Sequence, residues 1–230
     1  MCGRLTQVID GIRVVIEMGY TQHPQLRLDL VPRYNVPPGS RVAALHRLDD
    51  DGEPRVEELF WNYQPAWAAS KGRAYPNARI EKVSSSAFYK DAWQNARRVI
   101  VPASGWYEWL PQPDGSKQPY YIVPRDGGPL YLAGITLWQP GQPSDAPARG
   151  MAIITADAEG GMVDIHDRRP VVLAASDAAL WLDRMAPLPL AAELISRHRR
   201  PSEDFEWWPV SRAVGNVRNT AATLIHPIAL

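Results

Sequence analysis

The residues of greatest chemical promise stand at the start of the chain, in Met1-Cys2-Gly3. A small side chain after the initiator methionine favours its removal, which would leave Cys2 with a free α-amine beside its thiol. An α-amine has a pKa near ~7.7–8 and is partly neutral, hence nucleophilic, at cytoplasmic pH. With an aldehyde such an amine forms an imine, and the neighbouring thiol can then close a five-membered thiazolidine ring. A cysteine that merely sits near a frayed terminus is the plain alternative.

Other segments offer acid–base and binding groups. Glu108 lies in Gly105-Trp106-Tyr107-Glu108-Trp109. On a strand, Glu108 and Trp106 face one side, Tyr107 and Trp109 the other. A carboxylate walled by aromatic rings loses hydration, so its pKa rises and it can donate a proton near neutrality. On an exposed edge strand it would be an ordinary surface glutamate. His166 lies in Asp164-Ile165-His166-Asp167-Arg168-Arg169, where carboxylates favour the imidazolium and guanidiniums oppose it. That mixture fits a tuned imidazole and equally a solvated charged turn. If Asn77-Ala78-Arg79-Ile80-Glu81 is extended, Asn77, Arg79 and Glu81 share one face. An amide can orient a sugar hydroxyl, a guanidinium can hold a phosphate, and a carboxylate can hold the guanidinium. Trp67, in a Pro-containing loop, can wedge against a base or cover a core edge.

These groups need a scaffold, and the 22 prolines favour short strands and turns over long helices. Apolar spacing predicts a helix over Val8–Met18, ended by Gly19. Strands are expected at Arg41–Leu48 and Val56–Tyr63, then a helix over Ser86–Ala96. Arg98–Leu110 reads as a strand broken by Pro102 and Gly105. Tyr120–Val123 and Leu130–Trp138 flank Arg125-Asp126-Gly127-Gly128, a hairpin signal. Strands at Met151–Ala156 and Pro170–Ala175 bracket the segment that carries His166. Helices are expected at Ser176–Met185, capped by Ser176, and at Leu190–His198. Pro140–Arg149 reads as a surface loop. Strands dominate without βαβα alternation, so the expected class is α+β, a single domain over 1–230 with largely antiparallel sheet.

The chain has 230 residues, 45% hydrophobic and 22% charged, ordinary for a folded domain with a sizeable core. No apolar run approaches the ~20 residues that a bilayer requires, and no signal peptide is visible, so a cytoplasmic setting is expected. One cysteine excludes an intramolecular disulfide and any multi-cysteine zinc site. The five histidines form no close pair, and no Gly-rich phosphate loop is present, so neither metal nor cofactor is expected. A formal net charge of +0 argues against a generic, charge-driven nucleic-acid binder; such a function needs a local basic surface. Of the 25 basic residues only Lys71, Lys82, Lys90 and Lys117 are lysines. Arginine's planar fork suits phosphate and base stacking, although codon bias would give the same count.

Six pieces together resemble the SOS response-associated peptidase (SRAP) family of abasic-site DNA–protein crosslinking proteins. They are Met1-Cys2-Gly3-Arg4, Arg33-Tyr34-Asn35-Val36-Pro37-Pro38-Gly39, Asn77–Glu81, Gly105–Trp109, Val163–Pro170 and Pro209–Asn216, in the family's order. The resemblance implies a barrel-like sheet core and a basic groove for single-stranded DNA, including junctions, in a monomeric protein of the DNA damage response that is nucleoid-associated when bound. It implies roles too: Cys2 as nucleophile, Asn77 as the abasic-site sensing amide, Glu108 as the acid–base carboxylate and His166 as a stabilising imidazole. Arg4, Arg79 and Arg168 match phosphate-holding positions, and Trp67 and Trp106 match aromatics that pack against nucleotides. Gly3, Asn35, Pro38, Ser211 and Asn216 fall within the same motifs as further DNA contacts. Ala87 stands where some relatives carry a basic residue, which implies one phosphate contact fewer. The implied activity is lyase-like Schiff-base chemistry with self-processing of Met1, and general protease activity is not expected. Two rivals remain: an N-terminal-nucleophile glutamine amidotransferase, which also begins Met-Cys-Gly, and a non-catalytic reader of single-stranded DNA.

Overall fold

Period-two alternation of apolar residues builds the molecule, because each central strand is buried on both faces against a different layer. The computed structural model describes residues 2–23, 26, 30–143 and 150–229. The first sheet runs in the order β13 (Phe205–Pro209), β8 (Lys117–Pro124), β7 (Gly105–Pro111), β1 (Leu5–Gln7) and β2 (Arg33–Val36). The second runs β11 (Arg168–Pro170), β10 (Met151–Asp157), β9 (Leu130–Thr136), β6 (Arg98–Ala103), β3 (Arg41–His46) and β4 (Arg55–Phe60). Off that path β12 (Val172–Leu173) pairs with β9, and β5 (Asn77–Arg79) pairs with β10 in the one parallel ladder among the described strands. The class is α+β with largely antiparallel sheet, as the sequence indicates. Among the described strands the orders form two open paths, with no closed barrel.

Between the sheets lies a core to which both contribute: Leu5, Trp106, Ile122 and Phe205 from the first, Val99, Val101, Leu132 and Ile153 from the second. Cys2 is part of it. The alternate residues of the second sheet, Ile100, Ala133 and Ile154, pack under Trp93, Trp181 and Leu194 of α4 (Lys90–Gln94), α5 (Ala175–Leu182) and α6 (Leu188–Arg197). On the outer face of the first sheet, Tyr107 and Tyr121 are covered by Val210, Val214 and Leu224. The other α-helices among the described residues are α1 (Gly11–Glu17), α2 (Ala66–Ala69) and α3 (Ile80–Val83).

Several expected elements differ. The first helix begins only at Gly11, where the Asp10 side chain accepts from the N–H groups of Ile12 and Arg13. The Ser86–Ala96 helix shrinks to α4. Ser176 lies inside α5, whose cap position is Ala174. The hairpin expectation fails most instructively. Its turn exists, with Gly127 at φ +63°, but β8 pairs with β7 and β13 while β9 pairs with β6, β10 and β12. Both edges of each strand are already taken, so the turn carries the chain from one sheet to the other. Residues 144–149 of the expected Pro140–Arg149 loop lie outside the described residues.

Candidate active site and nucleic-acid groove

The N-terminus is threaded beside Glu108 by strand pairing. In the β1–β7 ladder Leu5 faces Trp106, and the Tyr107 N–H donates to the Arg4 carbonyl at 3.0 Å. Continued by one residue, that register sets Gly3 beside Glu108, with Cys2 next along. Gly105 permits the start of β7, since a Cβ there would stand 2.5 Å from the Tyr121 ring.

Across the core, β5 and β10 supply a second wall. Their parallel register matches Asn77 with Ile153 and Arg79 with Thr155, and β11 matches Arg168 with Asp157. Side chains directly matched across a ladder share a face, so Asn77, Arg79, Thr155, Asp157 and Arg168 lie on the Ile153 side, toward Cys2. Asn77 makes the join. Its Nδ2 donates to the Cys2 carbonyl at 2.7 Å, while the Tyr89 hydroxyl donates to Asn77's own carbonyl at 3.1 Å. Because a carbonyl can only accept, the amide orientation of Asn77 is fixed. Its Oδ1, and the Thr155 hydroxyl on the same face, are buried without a partner among the described residues. Buried polar atoms of this kind cost stability unless a ligand satisfies them.

His166 closes the site from the segment before β11. Its Nε2 lies 3.9 Å from Glu108 Oε2, and its Nδ1 lies 3.0 Å from the Arg168 main-chain N–H, which donates to it. Burial raises the Glu108 carboxyl to about 8, with the Asp167 carboxylate adding to the effect. Burial and the Glu108 charge push the Cys2 thiol up. Burial holds His166 below its ordinary value, with Lys117 acting in the same direction. The three groups are therefore mostly neutral together at pH 7: a protonated carboxyl, a thiol and a neutral imidazole. Such a set suits proton exchange at a bound carbonyl. Among the described residues no group of histidine, cysteine and carboxylate side chains is arranged to hold a metal ion.

Beside Asn77 opens a groove of 520 Å³. Its aromatic wall is Trp67, Tyr75 and Phe88, with Phe88 5.8 Å from Trp67 and 5.1 Å from Tyr75 between ring centres. Arg73, Arg79 and Lys82 line it as cations. Trp67 is 55% exposed, so its indole is a usable stacking surface. Sequence reasoning passed over Arg73, Tyr75, Phe88 and Thr155. Only the aromatic spacing around Pro76 could have flagged the first three, and period-two counting from Ile153 the last.

Other expected contacts are placed differently. Trp106 is fully buried, its ring 5.4 Å from that of Phe205 in a T-shaped pair. It belongs to the inter-sheet core and presents no surface to a nucleotide, because its face of β7 is the one that packs on the second sheet. Arg4 is buried, donating to Asn35 Oδ1 at 2.5 Å and to the Val214 carbonyl at 2.7 Å, with its guanidinium over the Trp109 ring. Asn35 in turn donates to the carbonyls of Val214, Asn216 and Asn219. Ser211 caps the short helix Arg212–Gly215, and Asn216 Oδ1 accepts from the Arg218 N–H. These residues brace the C-terminal segment against the N-terminal strand, and none lines the Trp67 groove. Gly3 and Pro38 are half-buried. Glu81 does not hold Arg79 as expected: the strand ends at Arg79, and from α3 Glu81 grips Arg168 through both oxygens, at 2.9 and 3.2 Å.

Cys2, in the core between the two sheets and clamped by Asn77, thus stands with the buried Glu108 and with His166 beside an aromatic, cationic groove. The chain belongs to the SOS response associated peptidase (SRAP) family, whose model matches residues 1–217. It is 37% identical to the abasic site processing protein YedK of Escherichia coli (strain K12), an alignment that spans 99% of this chain and 100% of that one. It is 32% identical to the abasic site processing protein HMCES of Gallus gallus, over 86% of this chain and 67% of that one. Among solved structures it is similar to a phage-related protein of Bordetella bronchiseptica, with a TM-score of 0.78 and 38% identity over 92% of this chain and 95% of that one.

Proposed function

We propose that this protein senses abasic sites in single-stranded DNA and attaches itself covalently to the exposed sugar through Cys2. The observation that carries the reading is the Asn77–Cys2 hydrogen bond, which fixes the one cysteine against a neutral acid and an open, stacking groove. Family membership and the names of the relatives support it.

An abasic deoxyribose rests mostly as a closed hemiacetal. In the proposed course Glu108, protonated near neutrality, donates to the ring oxygen as the C1′–O bond breaks, and the C1′ hydroxyl's proton returns to the carboxylate, leaving the open aldehyde. With Met1 removed, the Cys2 α-amine adds to the aldehyde carbon. The resulting carbinolamine loses water as Glu108 and His166 shuttle the proton, leaving an imine. The Cys2 thiol then adds to the imine carbon, its proton passes to the nitrogen, and a thiazolidine closes. Ring closure removes the imine that would otherwise invite β-elimination and strand cleavage. Asn77 Oδ1, buried without a partner among the described residues, accepts from the sugar's one free hydroxyl, at C1′ in the ring form and C4′ in the open form.

Trp67, Tyr75 and Phe88 take splayed bases, and Arg79 takes a phosphate, so single strands and junctions are preferred to paired duplex. Self-processing of Met1, monomeric action and a cytoplasmic, nucleoid-associated setting belong to the same proposal. The test is attachment to abasic single-stranded DNA that survives heat and detergent. Cys2→Ala should abolish it while leaving salt-sensitive binding. Release of ammonia from glutamine would favour the amidotransferase rival, and binding without attachment the passive reader.

A further inference from the structure

Arg168 is almost fully enclosed, yet its contacts are with carboxylates. Nη1 donates to Glu81 Oε1 at 2.9 Å and to Asp157 Oδ1 at 2.5 Å; Nη2 donates to Glu81 Oε2 at 3.2 Å and to the Thr155 carbonyl at 2.7 Å. These bonds hold the Glu81 carboxyl below the usual range. A bidentate guanidinium–carboxylate pair is the most rigid ion pair that side chains make. What it rigidifies here is the first residue of β11, and the main-chain N–H of that residue is the donor to His166 Nδ1 at 3.0 Å.

His166 Nδ1 has a competitor, since Asp167 Oδ1 lies 2.8 Å from it. One nitrogen cannot serve both. Bound to the main-chain donor, Nδ1 is an acceptor, so a neutral ring must carry its proton on Nε2, the nitrogen that looks toward Glu108. Bound to Asp167, Nδ1 must carry a proton, which favours either the other tautomer or the imidazolium. Which partner wins depends on how firmly the Arg168 main chain is held.

We propose that Glu81, helped by Asp157, is a positioning residue for the reaction: by locking Arg168 it fixes the Nε2–H tautomer of His166. Glu81 touches neither Cys2 nor the sugar, and it acts over 87 residues of sequence through one guanidinium. The inference rests on the reading of His166 as part of the abasic-site machinery, but its first test does not. Among the described residues the charged groups facing the imidazole are Glu108 from β7, Lys117 from β8 and Asp167 on its own segment. None of them is altered by substitution of Glu81.

The experiment labels the histidine rings with 15N and reads the His166 tautomer and titration by NMR in the DNA-free protein. The wild type should show the Nε2–H tautomer. Glu81→Ala should populate the Nδ1–H form and move the His166 midpoint upward, as Asp167 takes over. Glu81→Gln, which keeps an acceptor for Arg168, should restore much of the wild-type signal. Single-turnover crosslinking at pH 7 should fall about tenfold in Glu81→Ala, a part of the ~10²–10⁴ that an acid–base group contributes. A wild-type Nδ1–H tautomer, or an unchanged tautomer and midpoint in folded Glu81→Ala, would overturn the proposal. The NMR result with no crosslinking by the wild type would instead leave the positioning intact and overturn the abasic-site reading.

Discussion

Asn77 and Cys2, 75 residues apart, are joined by a single buried hydrogen bond of 2.7 Å from the asparagine amide to the cysteine carbonyl. The bond ties the start of the chain to the β5–β10 wall and fixes where the thiol and the α-amine can be. With Cys2 as the proposed nucleophile, position matters because a nucleophile held at its target gains from orientation as much as from its own reactivity.

Asn77→Ala should therefore act twice. It leaves a buried Cys2 carbonyl unsatisfied, a cost of about 1–3 kcal/mol in chemical denaturation. It should also slow crosslinking at least tenfold, because the amine is no longer held against Glu108. Asn77→Asp offers no donor at this point when ionised and should behave like alanine rather than like wild type. Equal single-turnover rates for wild type and Asn77→Ala would remove Asn77 from the mechanism.

The pH dependence of crosslinking should be bell-shaped. Neutral Cys2 amine increases through pH ~7.7–8, and protonated Glu108 is lost as pH rises through about 8, so the rate should peak close to that value. Glu108→Gln should abolish the falling limb and lower the rate ~10²-fold or more. A falling limb that persists in Glu108→Gln would assign it to another group.

Stability should respond in the opposite sense. Glu108 is an acid whose folded pKa, about 8, stands above its ordinary 4.5, so folding disfavours its ionised form. That penalty is absent below pH 4.5, grows between 4.5 and 8, and is constant above. Glu108→Gln should thus match the wild type near pH 4 and exceed it by roughly 4–5 kcal/mol near pH 9. Denaturant titrations at the two pH values check this, and identical pH dependence in both proteins would contradict the burial of the carboxyl.

In the groove, Trp67→Ala should weaken binding of undamaged single-stranded DNA by about 1–3 kcal/mol, the usual worth of a stacked base. Arg79→Ala should lower the slope of log affinity against log salt by ~0.7 if it holds one phosphate. Neither should alter the pH profile of attachment, since neither touches Glu108 or His166. Fluorescence anisotropy across a salt series separates the two effects.

How much of this was legible beforehand differs residue by residue. Alternation along Gly105–Trp109 was enough to put Glu108 and Trp106 on one face and Tyr107 and Trp109 on the other, as found. It could not say which face was core, because both carry aromatic residues, and the family resemblance alone put Trp106 against nucleotides. The turn at Arg125–Gly128 has hairpin chemistry, but turn residues dictate a reversal and leave the choice of sheet to long-range packing. Local spacing likewise suggested Glu81 as a partner for Arg79. The chain turns helical at Ile80, and the true partner, Arg168, arrives from the other end of the sequence. Motifs marked most of the residues at the site; which of them face the groove and which brace the fold depends on contacts between strands far apart in sequence.

Intact mass spectrometry after mixing the purified protein with single-stranded DNA that contains one abasic site tests the central claim most directly. The expected product weighs the protein without Met1 plus the oligonucleotide, less one water, and it should be absent with Cys2→Ala and with undamaged DNA. An adduct that retains Met1, or one that forms equally well without Cys2, would contradict attachment through the N-terminal cysteine.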